Sequence, residues 1–198
     1  MRIIAGKFKG IILYAPTDKK IRPLKDIVRE SIFNFLSHSN KIFFQIEQAN
    51  VLDLYSGTGS FGLECLSRQA NKVIFIEKEK EAIKILKKNI EKLKKKNETK
   101  IFFDDVFNVI KKHDKTLFSW LPDLKFDLIF CDPPFKDMHI SKLIELIVAK
   151  GLLKKNGIII LHRHKNTKKR LTNYFKMIDE RVYGISKITF GKLLLTSS

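Results

Sequence analysis

Cysteine is scarce, with two in 198 residues, and Cys65 and Cys131 both fall inside apolar patterns without the spacing of a metal knuckle. That excludes a disulfide-stapled scaffold; both read as reduced core residues, and no metal site is implied. Long apolar runs are missing too: none approaches the roughly 20 residues that cross a bilayer. The opening "MRIIAGKFKG" is broken by charges where a secretory signal keeps its apolar stretch. The expectation is a soluble, cytoplasmic chain with no membrane partner. Acids are few: 21 Asp+Glu stand against 39 Lys+Arg, a formal net charge of +18. Such an excess points to a polyanion, nucleic acid above all, because each phosphate neutralised releases condensed counterions. Compositional drift toward lysine is the plainer reading, but it does not by itself remove acids. What is present in quantity is apolar: 44% hydrophobic residues suffice for one good core, so a single domain and a monomer are the defaults.

From Asn50 onward, short apolar runs alternate with amphipathic stretches, as in a βαβ array. Strands are expected at 50–55, 71–77, 99–103, 126–131 and 157–161, with helices at 60–69, near 105–112, at 139–150 and near 166–177. After the second strand, Ile83, Leu86, Ile90 and Leu93 recur at three- and four-residue spacing, one apolar helical face backed by lysines. The tail "RVYGISKITFGKLLLTSS" carries Gly184 and Gly191 as turn glycines between β-prone runs, a hairpin closing the sheet. The first 49 residues differ: a basic hairpin outside the main sheet, then a helix over 22–36 with Pro23 near its start. The fold expected is α/β and Rossmann-like: a mostly parallel seven-stranded sheet with a C-terminal antiparallel hairpin.

The stretch "VLDLYSGTGSFG" places Gly57, Gly59 and Gly62 between a strand and a helix, where glycine allows close backbone approach and the helix N-terminus favours negative charge. Alone this fits dinucleotide enzymes as well. Asp53, inside the strand end, can orient the loop and receive an ammonium group. Glu77 closes the second strand, 20 residues after Gly57, where an acid can accept both hydroxyls of a ribose. Asp104 and Asp105 end the third strand; Asp105, followed by Val106 and Phe107, is the choice for an adenine amino group, although both acids could merely cap the next helix. One ligand with an amine, a ribose and an adenine is S-adenosylmethionine.

"FDLIFCDPPF" ends the fourth strand beside the first, at the switch point where such sheets bind ligands. Two prolines stiffen the turn and leave carbonyls free as acceptors. The Asp132 carboxylate and the Pro133 carbonyl can hold an exocyclic NH2, with Pro134 fixing the turn and Phe135 stacking on the base. Methyl transfer would then be direct, without a covalent enzyme intermediate.

These residues resemble the class I S-adenosylmethionine-dependent methyltransferases and, more closely, the RsmD-like family of 16S ribosomal RNA guanine-N2 methyltransferases. The resemblance rests on "MRIIAGKFKG", "RP..D.VRESIFNFL", "VLDLYSGTGSFGLECLSR", "FDLIFCDPPF" and "YG" near the end, and spans nearly the whole chain. It implies methylation of one guanine of small-subunit ribosomal RNA, within an assembled particle, with S-adenosylhomocysteine as the second product. By position it implies Asp53, Gly57 and Gly59 at the methionine end of the cofactor, Glu77 at the ribose, and Asp105 with Val106 at the adenine. Asp132 to Phe135 would take the base, and Arg2, Lys7, Lys9, Arg22 and Arg29 would face RNA from an extension over 1–49, leaving 50–198 as the catalytic core. Two departures stand out: Leu24-Lys25 replaces a pair of threonines, and "LHRHK" puts His162, Arg163 and His164 where an acid is common. The histidines are expected at the surface, without a chemical role, and no base accompanies Asp132. Rival activities are N6-adenine methylation, glutamine methylation of a release factor, and RNA binding without turnover.

Overall fold

The computed structural model describes residues 1–16, 24–112, 125–135, 139–167 and 171–194. Among the described residues, five α-helices, α1 (Asp26–His38), α2 (Ser60–Ser67), α3 (Lys80–Lys92), α4 (Val106–Lys111) and α5 (Ile140–Ala149), flank one sheet. Its strands are β1 (Asn50–Leu54), β2 (Lys72–Glu77), β3 (Thr99–Phe103), β4 (Phe126–Cys131), β5 (Leu153–His164), β6 (Phe175–Tyr183) and β7 (Ser186–Leu193). The spatial order is β3-β2-β1-β4-β5-β7-β6. Pairs from β3 through β5 are parallel, while β7 is antiparallel to both β5 and β6. The order reverses between β1 and β4, so a crevice opens at their carboxyl ends.

Both faces of the sheet are covered, which explains why β1 and β4 read as nearly continuous apolar runs. Val51, Phe75, Phe130 and Ile160 point to α1 and α2, and their neighbours Leu52, Ile74, Ile129 and Ile159 point to α4 and α5. On the first face Phe61 stacks between Phe33 and Phe130, at centroid distances of 5.2 and 4.0 Å. Cys65 and Cys131 are buried in these two layers and form no disulfide. Among the described residues, no helix is long and apolar enough to cross a membrane.

The first residues form a small hairpin, with a single antiparallel bridge between Arg2 and Ile12. It is bolted to α2: the buried Glu64 carboxylate accepts the N–H groups of Ile4 and Ala5 at 2.8 and 2.9 Å. Asn89 of α3 holds its far end, accepting from Tyr14 N–H and donating to Tyr14 O.

Three expectations need correction. No helix covers 171–177; β6 starts at Phe175, because its ring lies over Gly191 of β7, where a Cβ would come within 2.3 Å of the Phe175 ring. Gly191 is therefore a gap inside a strand, whereas Gly184, at φ 59°, does make the hairpin turn. β5 is also longer than expected, starting at Leu153 with a register shift against β4.

Candidate active site

The loop after β1 turns sharply, with Tyr55, Gly57 and Gly59 at φ 58°, 54° and 81°. Non-glycine residues adopt such a backbone rarely, and Tyr55 does so at the wall of a hollow of about 410 Å³. Gly57 faces open space, since a Cβ there would meet nothing within 4 Å; Gly59 has Leu86 at 2.3 Å from such an atom and serves packing. Glu77 fastens the loop. Its Oε2 accepts the Gly57 N–H at 2.7 Å, and its Oε1 accepts those of Lys78 and Glu79 at 2.8 and 2.9 Å.

Asp53 lies beneath this loop, 1% exposed, and is not part of the wall of the hollow. Its Oδ2 accepts the N–H of Gly62 at 3.0 Å, satisfying an otherwise unpaired donor in the first turn of α2. Burial pushes its carboxyl well above the usual range; the Gly62 bond opposes that shift, and the charges of Asp132 and Glu77 add to it.

Asp104, Asp105 and Val106 line the hollow at the end of β3. Asp105 is the N-cap of α4, accepting from Phe107 N–H at 2.9 Å, and its other oxygen lies 3.3 Å from Lys78 Nζ. Asp104 is half-buried, and bonds from the Asn108 amide and the Asp105 N–H hold its carboxyl below the usual range.

The Asp132–Phe135 turn forms the opposite wall. Asp132 Oδ1 stands 2.7 Å from Nδ1 of His162, which is 7% exposed. On its other side His162 Nε2 is 2.8 Å from Ser186 Oγ. The Phe135 ring stands edge-to-face against His162 and His164, each at 5.4 Å. The expectation of a surface role for His162 is thus overturned. Sequence carried no signal of it, because the contact depends on β5 lying beside β4.

The structure brings Gly57, Glu77, Asp105, Val106 and Asp132 to Phe135 around one hollow, and leaves Asp53 and Gly59 behind the loop. Leu24 and Lys25, the residues replacing a threonine pair, also reach its wall, as do Tyr55 and Ile185. Of the basic residues expected to face RNA, Arg2, Lys7 and Lys9 are exposed, and Arg22 lies outside the described residues. Arg29 requires correction: it is 0% exposed, bonded to Asp26 at 2.9 Å and to the Arg2 and Ser60 carbonyls, and sits 4.0 Å from Glu64. It links α1, α2 and the hairpin and has no surface left for a phosphate.

A glycine loop after β1, acids closing β2 and β3, and an Asp-Pro-Pro-Phe turn after β4, in this strand order, define a class I S-adenosylmethionine-dependent methyltransferase. The chain belongs to the family described as Conserved hypothetical protein 95, whose model matches residues 1–192. It is similar to the Ribosomal RNA small subunit methyltransferase D of Haemophilus influenzae, 32% identical over 186 residues, covering 93% of this chain and 90% of the relative. The protein of that name from Buchnera aphidicola is 32% identical over 174 residues, covering 87% and 80%. Among solved structures, the methyltransferase yhhF of Escherichia coli superposes with a TM-score of 0.79 at 25% identity, over 98% of this chain and 97% of that one.

Proposed function

We propose that this enzyme methylates the exocyclic N2 of a guanine in small-subunit (16S) ribosomal RNA, in the cytoplasm, on RNA already assembled into a subunit particle. The observation that carries the reading is the single hollow shared by Gly57, Glu77 and the Asp132–Phe135 turn. The names of the relatives and the +18 charge support the choice of ribosomal RNA.

The residues fit the cofactor. Gly57 leaves open space, the Glu77 carboxylate lines the hollow and would accept the ribose hydroxyls, and Val106, Ile76 and Ala82 add apolar lining with Asp105 for the adenine. Asp53 acts one layer down, orienting the loop that receives the methionine end, and Gly59 lets that loop pack. When bound, S-adenosylmethionine supplies a methyl group on a sulfonium, whose sulfur keeps the electron pair of the broken bond and leaves as S-adenosylhomocysteine.

The chain does the rest by positioning. An aromatic amine is a weak nucleophile because its lone pair is delocalised into the ring. The Asp132 carboxylate and the Pro133 carbonyl accept its two N–H bonds, Phe135 stacks on the base, and the lone pair is left facing the methyl. Once the new nitrogen–carbon bond forms, the cationic nitrogen sheds one proton to Asp132, and from there to water.

Asp132→Ala tests the assignment. With labelled donor and small subunits from a strain lacking the enzyme, the variant should transfer methyl roughly 10²–10³-fold more slowly with cofactor affinity little changed. Mapping the label on the wild-type product identifies the nucleotide. A near-normal rate for the variant would remove Asp132 from the chemistry, and label on adenine N6 or on protein would replace the substrate.

A further inference from the structure

His162 takes no part in the reading above, yet it touches both working groups of the turn. Strands β4 and β5 run parallel with Cys131 opposite Leu161, so the next residues, Asp132 and His162, lie side by side at the mouth of the hollow. Nδ1 is 2.7 Å from Asp132 Oδ1, and the ring stands perpendicular to Phe135 at 5.4 Å. Its far side is fixed by Ser186 at the start of β7.

We propose that His162 is a positioning residue for methyl transfer: it holds one oxygen of Asp132 and braces Phe135, so that the other oxygen and one ring face are presented to the target amine. The inference rests on the proposed function, since it assumes that the turn receives the base. Only a donor tolerates 2.7 Å from an ionised carboxylate oxygen, so Nδ1 carries the proton and Nε2 accepts from the Ser186 hydroxyl. The Nδ1 contact is close but not in line for a straight N–H···O bond. Such bonds at reaction centres tighten when substrate fills the site. A carboxylate free to rotate would present its oxygens to the amine only part of the time, and a misplacement of this kind costs turnover more than binding.

Two variants of the full chain and one measurement on the wild type decide it. His162→Ala should lower kcat roughly 10- to 100-fold, with KM for donor and for small subunits within about twofold. His162→Asn places a side-chain N–H near the lost Nδ1 and should restore most of that rate. A side chain that only filled space would give no such split and no such rescue. Long-range proton–nitrogen NMR of the wild-type chain should show the Nδ1–H tautomer of His162, which also covers the case in which His162→Ala fails to fold. A wild-type kcat in His162→Ala, an Asn variant no faster than the Ala variant, or an Nε2–H neutral tautomer each overturns the inference while the base site stands. A wild-type chain inert on every small-subunit substrate overturns the proposed function, and this role with it.

Discussion

Asp53 shows how a residue chosen for one task can be held by another. Its place at the end of β1, four residues before Gly57, was legible in the sequence; that the strand end is sealed, leaving it 1% exposed with the Gly62 N–H as partner, was not. Burial raises this carboxyl, so in the range above the ordinary aspartate value of about 3.9 the folded chain binds more protons than the unfolded one. Stability from this group is therefore present below that value and falls as pH rises toward the folded pKa. Asp53→Asn keeps an oxygen for Gly62 and cannot ionise. It should unfold at a higher temperature than wild type at neutral pH without cofactor, with the gap closing near pH 4. Thermal melts at the two pH values check this, and a gap independent of pH would mean that folding does not raise the Asp53 carboxyl above its unfolded value.

At the scale of elements, periodicity made β1 to β4, α2, α3 and α5 readable, because strands buried on both faces and helices with one apolar stripe leave local patterns. Misreadings arose where a partner distant in sequence decides. Residues 175–177, expected to end a helix, open β6 with the Phe175 ring over Gly191, and His162 met Asp132 only through sheet pairing. Arg29 is the clearest case: one helical turn past Lys25 it looks like a surface cation, but Glu64, 35 residues away in sequence, draws it into the junction of α1, α2 and the hairpin. Burial lowers its pKa, and Glu64 and Asp26 oppose that. Arg29→Ala would strip donors from the Arg2 and Ser60 carbonyls and leave Glu64 to Arg68 and the hairpin amides. A loss of about 3 kcal/mol is expected, read as a lower urea midpoint with an unchanged m-value. If instead stability were untouched and RNA affinity fell, the original reading of Arg29 as an RNA contact would be restored.

For the whole molecule, the +18 charge matters only through where it meets a polyanion. The hairpin runs along α2: its Met1 sulfur lies 3.8 Å from Thr58 Oγ1 in the glycine loop, and its exposed turn with Lys7 and Lys9 is bonded to Ser67 at the far end of that helix. RNA held there would present a base to Asp132 while its backbone runs over the hairpin. Each lysine–phosphate contact contributes about 0.7 to 0.9 to the slope of log affinity against log salt. Replacing Lys7 and Lys9 together by Ala should therefore reduce that slope by roughly 1.4 to 1.8 and weaken subunit binding in low salt. Donor affinity should not change, because neither residue lines the hollow. A slope equal to wild type would move the phosphate track from the hairpin to the other lysine-rich surface within reach, the exposed face of α3 bearing Lys84, Lys87, Lys88 and Lys92, where the same substitution experiment applies.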